Sequence, residues 1–147
     1  MIITLASAKG GVGKTTSAIH IAAILAADAP TLLIDGDPNR SSLKWSDRGA
    51  LPFKTVELMA AAMHSRNYQH LVFDTPARPN SEDLAALVEG CELLAIPTTP
   101  DILSIEATLE TVAILEDLGC QHYKILLTIV PPGRKTGQQT REALEGY

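Results

Sequence analysis

A glycine-rich run between an apolar segment and a helical segment constrains this chain more than any other feature. Residues 8–16 read A-K-G-G-V-G-K-T-T, and residues 2–6 before them are predicted to form a buried strand. Glycines allow a backbone to curl around phosphates with its N–H groups turned inward, and the helix that follows adds its positive N-terminal end. A lysine followed by a hydroxyl residue is typical of the end of a loop that binds nucleoside triphosphates. The run therefore predicts a strand, a phosphate-binding loop and a helix in that order.

The residues of this loop have separate expected roles. Lys14 would contact the β- and γ-phosphates, and the Thr15 hydroxyl would bind Mg²⁺. The strict form of the pattern has glycine where this chain has Ala8. The residues expected to contact nucleotide are Lys9, Gly10, Gly11, Val12, Gly13, Lys14, Thr15 and Thr16.

The remainder of the chain alternates short apolar runs with helical stretches. With 147 residues, of which 46% are hydrophobic and 20% charged, it has the usual size and composition of one domain. Apolar runs at 31–35, 70–74, 91–96 and 123–130 predict strands, with a shorter one at 53–56. This alternation favours an α/β fold, a three-layer and mostly parallel sheet flanked by helices.

Helix signals fall between these strands. Helices are predicted over residues 14–27, 56–64, 81–90, 99–118 and 138–144. We expect Ser81 and Thr99 to be N-caps and Pro100 to occupy a first helical position. Pro97 is expected to end the strand before it.

Composition and charge exclude several classes of protein. No apolar run approaches the ~18 residues that span a membrane, and the first residues lack the basic leader of a secretory signal, so we expect a cytoplasmic protein. Cys91 and Cys120 form no C-x-x-C pair, which disfavours a zinc site or a disulfide framework.

The net charge is −5, but residues 1–73 carry +2, residues 74–120 carry −9 and residues 121–147 carry +2. A basic protein that binds nucleic acid over its whole surface is excluded, whereas a local basic patch is not.

Aspartates follow two of the predicted strands. Residues 32–40 read L-L-I-D-G-D-P-N-R, so Asp35 ends a strand and Asp37 follows two residues later. A strand-end aspartate can hold a metal-bound water, and a second one nearby can orient an attacking water. Residues 70–77 read H-L-V-F-D-T-P-A, and Asp74 is expected to hold Mg²⁺ directly or through water. The predicted metal set is Thr15, Asp35 and Asp74.

The run K-G-G-V-G-K-T-T resembles the deviant Walker A motif of the ParA/MinD family, whose members are ATPases that pair face to face across two nucleotides. Lys9 matches the family's signature lysine, which crosses to the ATP of the partner subunit. Residues 32–40 resemble the switch I segment of the family, with Asn39 in place of the usual glutamine. By this resemblance Asp37 is the hydrolytic residue and Asp35 supports the metal shell. Residues 70–77 resemble switch II, with Ala77 in place of a second proline.

The order of elements is most similar to the small ParA-type partition ATPases. That resemblance implies ATP and Mg²⁺ as ligands, with Lys9, Lys14 and Asp37 as catalytic residues. It also implies a homodimer in the ATP state, nonspecific DNA binding with a location on the nucleoid, and hydrolysis stimulated by a ParB-like adaptor during plasmid, chromosome or other cargo partitioning. No stable membrane insertion is expected. Family domains continue for another strand and one or more helices, so we expect residues 1–147 to be one ATPase domain, either a minimal form or part of a longer one.

Weaker signals lie near the end of the chain. Thr128 and Pro131 fall where the family places a strand end that contacts adenine. Arg134, Lys135 and Arg141 form a basic cluster that would either touch DNA phosphates or be a solvated face.

Three alternatives stay open beside partitioning. A MinD-like ATPase that acts at a membrane surface needs a terminal amphipathic helix, and the last fourteen residues hold one leucine. A metallocluster carrier of the same superfamily needs bridging cysteines or C-x-x-C pairs. A nucleotide-binding adaptor without turnover is disfavoured by the presence of Lys9, Lys14, Asp37 and Asp74.

Overall fold

Strands and helices alternate along the chain, as the apolar periodicity predicts. The computed structural model describes residues 1–133 and 135–147. The strands are β1 (Ile2–Leu5), β2 (Thr31–Asp35), β3 (Lys54–Glu57), β4 (His70–Asp74), β5 (Leu93–Thr98) and β6 (Tyr123–Leu127). The helices are α1 (Lys14–Leu25), α2 (Ser41–Ser46), α3 (Ala61–His64), α4 (Ser81–Gly90), α5 (Ile102–Asp117) and α6 (Thr136–Ala143), with 3₁₀ turns at Leu58–Ala60 and Ser65–Asn67.

The described strands form one parallel sheet in the order β3-β2-β4-β1-β5-β6. The α/β fold with a mostly parallel sheet is therefore confirmed. In a parallel sheet all carboxyl ends meet at one edge, where ligands of open α/β sheets bind. The pairing of β2 with β4 sets Asp35 directly beside Asp74 at that edge. Among the described strands, β6 pairs with β5 alone and leaves its other side open.

Apolar side chains cover both sides of the sheet. Helix α1 contributes Ala18, Ile19 and Ala22 to a cluster with side chains of β1, β2 and β4. On the other side, α4 and α5 pack against Leu94 and Ile96 of β5. Burying one such large aliphatic side chain stabilises the fold by about 1.5–3 kcal/mol. The sheet is thereby a rigid base for the loops at its carboxyl edge.

Two predicted helix caps are wrong. Asn80, not Ser81, caps α4: its side chain accepts the Asp83 N–H at 2.8 Å, and the Asp83 carboxylate accepts the Asn80 N–H at 3.1 Å. This reciprocal pair satisfies two amide donors at once, which one serine hydroxyl does not.

The start of α5 differs in the same way. Asp101, not Thr99, caps this helix, because its carboxylate accepts the Ser104 N–H at 3.0 Å. Pro100 consequently precedes the cap and does not occupy a first helical position.

The strand ends near the site also differ from prediction. Strand β5 continues through Pro97 to Thr98. Proline is tolerated there because the β1 pairing ends at Ala95, so no β1 partner needs the missing N–H. Strand β6 ends at Leu127, short of residue 130, because Ile129 turns the chain with a left-handed φ of 50°.

Three more helices differ from prediction. The helix predicted over residues 56–64 starts only after Glu57, because Val56 and Glu57 pair with β2 as part of β3, and a 3₁₀ turn and α3 follow. Helix α2 was not predicted; it begins after Arg40, which adopts a left-handed φ of 52°. Helix α6 begins at Thr136, two residues before the predicted start. Among the helices of the described residues, none is long and apolar enough to cross a bilayer.

Candidate nucleotide site

The loop between β1 and α1 has the backbone that its glycines predict. Gly11 and Gly13 have φ values of 78° and 82°, a left-handed conformation that strains residues with a side chain. Helix α1 starts directly after them, with the Ser17 N–H bonded to the Gly13 carbonyl at 2.8 Å. The loop lines a cavity of about 450 Å³. The residues around this cavity are Ser7, Lys9, Gly10, Gly11, Gly13, Lys14, Thr15, Thr16, Asp37, Asn39, Ser41, Ala77 and Ile129.

A buried ion-pair cluster lies beneath the loop. The Lys14 side chain is 8% exposed, and its ammonium lies 3.2 Å from an Asp74 carboxylate oxygen. It also lies 3.9 Å from an oxygen of Asp37 and donates to the Thr75 carbonyl. Asp74 is fully buried, and a buried carboxylate requires a charge partner and hydrogen bonds. The structure therefore brings together Lys14, Asp37 and Asp74, three of the residues that the sequence singled out.

The second oxygen of Asp74 is held by a residue that sequence reasoning missed. The Ser42 hydroxyl donates to Asp74 Oδ2 at 2.8 Å, and Ser42 is fully buried. Helix α2, the first turn of which contains Ser42, is thus tied to the end of β4. A serine two residues after an arginine has no distinguishing signal in the sequence; only the pairing of β2 with β4 shows its partner.

Asp35 braces the segment that leads into α2. One of its carboxylate oxygens accepts the Asp37 N–H at 3.1 Å, and the other accepts the Leu43 N–H at 3.0 Å. Asp37 in turn accepts from the N–H and the side-chain amide of Asn39, at 2.8 and 2.9 Å. The residues from Asp35 to Leu43 therefore form one hydrogen-bonded unit above β2.

Lys9 has a partner within its own chain. Its ammonium donates to an Asp101 carboxylate oxygen at 2.8 Å and to the Ser104 hydroxyl at 2.9 Å. The bond from Lys9, with further bonds from Thr99 and Ser104, holds the pKa of the Asp101 carboxyl well below its usual range. Asp101 was not among the predicted site residues, because its proximity to Lys9 depends on the β1–β5 pairing.

Thr128 supports the loop from behind. Its hydroxyl lies 2.6 Å from the Val12 carbonyl and 2.9 Å from the Thr98 carbonyl, and the side chain contacts the position of Gly13. Pro131 is exposed, and Ile129 is the residue of this segment that reaches the cavity. The adenine contacts expected of Thr128 and Pro131 stay predictions.

The predicted basic cluster is only partly described. Lys135 and Arg141 are exposed at the start and in the last turn of α6. Arg134 lies outside the described residues.

The donors at the carboxyl edge fit Mg²⁺. Of the predicted metal set, the Asp74 carboxylate and the Thr15 hydroxyl are hard oxygen donors next to the loop. Both oxygens of the third member, Asp35, accept backbone N–H groups, and its part in the metal shell stays a prediction. Within the described residues no cluster of three or more His, Cys, Asp or Glu side chains could hold a metal alone. Mg²⁺ commonly takes one or two protein ligands together with waters and substrate phosphates, so this sparse donor set suits it.

A glycine loop at the start of a helix, a buried lysine beneath it and strand-end aspartates beside it define a class of protein, the P-loop nucleotide-binding domains. Residues 3–146 match the family described as the CobQ/CobB/MinD/ParA nucleotide binding domain. The chain belongs to this family, which confirms the resemblance drawn from the loop and the two switch segments.

The chain is also similar to a curated relative. It is 39% identical over 140 residues to maintenance of carboxysome distribution protein A from Gloeobacter kilaueensis, a match that covers 89% of this chain and 64% of the relative. The chain thus spans less than two thirds of that relative's length.

Two solved structures share the fold. The plasmid partition protein from Borrelia burgdorferi bound to AMPPNP superposes with a TM-score of 0.71 at 22% identity, over 99% of this chain and 81% of that one. The structure of pNOB8 ParA bound to nonspecific DNA superposes with a TM-score of 0.74 at 17% identity, over 99% of this chain and 74% of that one. At such identities the likeness concerns the fold alone.

Proposed function

We propose that this chain binds ATP with Mg²⁺ and hydrolyses it to ADP and phosphate. The observation that carries the proposal is the position of Lys14, whose buried ammonium contacts both Asp74 and Asp37 directly beneath the glycine loop. Phosphoryl transfer requires a cation at the β- and γ-phosphates, and Lys14 lies where a loop of left-handed glycines would hold them.

The residues of the site divide the work among them. Lys14 would release Asp74 and turn its charge towards the β- and γ-phosphates, while the N–H groups of the loop bind the same oxygens. Asp37, which is 15% exposed and lines the cavity, is placed to orient the attacking water. Thr15 and Asp74 would hold Mg²⁺, which supplies positive charge to the phosphates when bound.

We further propose that the chain acts as a dimer in a ParA-like partition cycle. Lys9 in the loop is the residue that would reach the partner's nucleotide, and two equivalent sites fit a two-fold pair. In this cycle the protein is cytoplasmic, and its ATP-bound dimer binds nonspecific DNA on the nucleoid. A ParB-like adaptor on the cargo stimulates hydrolysis. The relative named for maintenance of carboxysome distribution supports a cargo-positioning role.

No observation favours the membrane-surface alternative. Helix α6, the last described helix, has the sequence T-G-Q-Q-T-R-E-A and carries no large apolar residue. Adsorption to a bilayer needs an apolar face that can enter the headgroup region, and α6 does not offer one.

Phosphate release by the Lys14→Ala variant tests the enzymatic proposal. Loss of a positioned charge contact costs on the order of 3 kcal/mol of transition-state stabilisation, so turnover should fall by about two orders of magnitude. Lys135→Ala is the matched control, because Lys135 is an exposed lysine at the start of α6 and does not line the cavity. Equal turnover in both variants would exclude the assigned site.

The Asp37→Ala variant tests the dimer. This variant should bind ATP without hydrolysing it and should accumulate as a dimer in sedimentation velocity runs with ATP but not with ADP. A variant that hydrolyses ATP at the rate of the unaltered protein would remove Asp37 from the catalytic residues, and a monomer in both nucleotide states would overturn the dimer.

A further inference from the structure

We infer that the surface around α2 contacts nucleic acid when the site holds ATP. This α2 surface consists of Arg40, Lys44, Trp45 and Arg48. The inference rests on the proposed function. It deepens that function because it assigns the nonspecific DNA binding to a surface other than that of Lys135 and Arg141.

The α2 surface combines cations with an exposed aromatic ring. All four of its residues are exposed, and the Trp45 side chain has an exposed fraction of 44%. Arg40 pairs with the exposed Glu57 at 3.0 Å, while Asp47 is the single acidic residue between positions 40 and 48. A tryptophan between cations on a solvent-facing helix resembles the stacking and phosphate-binding groups of nonspecific nucleic-acid sites.

The opposite side of the sheet is too acidic to bind nucleic acid. Residues 81–117, which contain α4 and α5, have nine acidic side chains and no lysine or arginine. Nucleic-acid phosphates would be repelled there. Helix α2 instead packs against α1, the sequence of which contains no acidic residue. The side of the sheet that bears α1 and α2 is therefore the one at which a polyanion meets least repulsion.

Two hydrogen bonds connect helix α2, which carries this surface, to the nucleotide site. The Ser42 hydroxyl holds Asp74 at 2.8 Å, and the Leu43 N–H holds Asp35 at 3.0 Å. Each acceptor is a carboxylate whose hydrogen-bond partners would change when nucleotide and Mg²⁺ bind. A change of nucleotide therefore shifts the position of α2, which makes nucleic-acid binding at this surface dependent on ATP.

The α2 surface would recognise two kinds of group on the nucleic acid, the phosphates and the bases or sugars. Lys44 and Arg48 would neutralise phosphates, and Trp45 would pack against an exposed base or a deoxyribose. Phosphate contacts carry no sequence information and weaken with salt. Both single-stranded and duplex DNA offer these groups, and the experiment separates them.

Trp45 is the only tryptophan in the chain, so its fluorescence reports on this surface without a label. The 147-residue chain with Asp37→Ala is loaded with ATP or ADP and titrated with a random-sequence duplex, with a single strand of the same sequence, and with poly-glutamate. We expect the duplex or the single strand to change Trp45 emission with ATP only, and we expect the change to weaken with salt. An equal response to poly-glutamate would point to an acidic protein partner and would overturn the inference.

A charge-reversal pair provides the second measurement. In the Asp37→Ala background, Lys44→Glu with Arg48→Glu should weaken the binding of labelled DNA by roughly tenfold or more and should lower the salt slope by about two. The matched control is Lys135→Glu with Arg141→Glu, which reverses two exposed cations on α6. If the α2 pair binds normally while the α6 pair does not, the inference is overturned and the proposed function stands. If the unaltered protein and the Asp37→Ala variant bind DNA in neither nucleotide state, the inference and the proposed DNA binding are both overturned, while the proposed ATP hydrolysis stands.

Discussion

The ammonium of Lys9 lies 2.8 Å from a carboxylate oxygen of Asp101, which caps the N-terminus of α5. The phosphate-binding loop and α5 are thus joined by a charge pair that spans 92 residues of sequence. A lysine held in this way faces its own subunit, so it must leave Asp101 before it can reach a nucleotide bound by a partner. We therefore expect Asp101 to compete with dimer formation.

Asp101→Asn tests this competition. Asparagine keeps an oxygen that can cap α5 but removes the charge that holds Lys9. With ATP, the variant should form dimers at a lower protein concentration than the unaltered chain in sedimentation velocity experiments. Glu106→Gln is the control, since Glu106 is another exposed carboxylate on α5. Identical dimerisation of the Asp101→Asn variant and the unaltered chain would rule the competition out.

The same pair predicts a dependence of stability on pH. The pKa of Asp101 is lowered in the fold, chiefly by Lys9, so the unfolded chain binds its proton more readily. The stability gained from this carboxylate is complete above the unfolded pKa of about 3.9 and is lost as the pH falls through the lower folded value. Melting temperatures of the unaltered protein and Asp101→Asn should therefore differ by a constant amount near neutral pH and converge below about pH 4. A difference that stays constant in acid would contradict the prediction.

Lys14 should stabilise the domain even without nucleotide. Lys14→Met keeps most of the side-chain volume but leaves the fully buried Asp74 without the cation 3.2 Å away. Removal of one partner from a buried ion pair costs about 3–5 kcal/mol, and urea denaturation of nucleotide-free protein would measure the loss. The double variant Lys14→Met with Asp74→Asn should recover part of it, because the unpaired charge is gone. A double variant that is no more stable than Lys14→Met would show that the charge pair is not the cause.

Ser42 should affect both stability and metal use. Ser42→Ala removes the hydroxyl that donates to Asp74 Oδ2, and a hydrogen bond to a charged group contributes about 1.5–3 kcal/mol. Without it the Asp74 carboxylate keeps only Lys14 as a side-chain partner and is less firmly oriented, so the Mg²⁺ concentration needed for half-maximal binding of a fluorescent ATP analogue should rise. Ser46→Ala, at the end of the same helix, should change neither quantity. If Mg²⁺ dependence is unaltered while stability falls, Ser42 has a structural role alone.

The strands and the loop could be predicted because their signals are local. A strand buried on both faces is a continuous apolar run, so the ends of β2 at Asp35 and β4 at Asp74 could be placed to the residue. The loop was equally visible, since only glycines adopt φ near 80° without strain at positions 11 and 13.

The features that were missed depend on tertiary structure. The six-residue α2 is too short to show a helical period, and its buried Ser42 has meaning only beside Asp74. The caps at Asn80 and Asp101 stand near other polar residues that could serve equally well in sequence. Which residue caps a helix is decided by where the chain turns, and that depends on how the preceding strand is held in the sheet.

The side of β6 that pairs with none of the described strands affects how the isolated domain associates in solution. Unpaired N–H and C=O groups on an edge strand are a template for another strand, and charged side chains, lysine in particular, discourage such pairing. Along β6 the exposed positions are Lys124 and Leu126, and Leu126 has an exposed fraction of 37%. Self-association at this edge would occur in concentrated samples whether or not nucleotide is bound. Oligomers that persist with ADP should therefore be assigned to the sheet edge rather than to the ATP site.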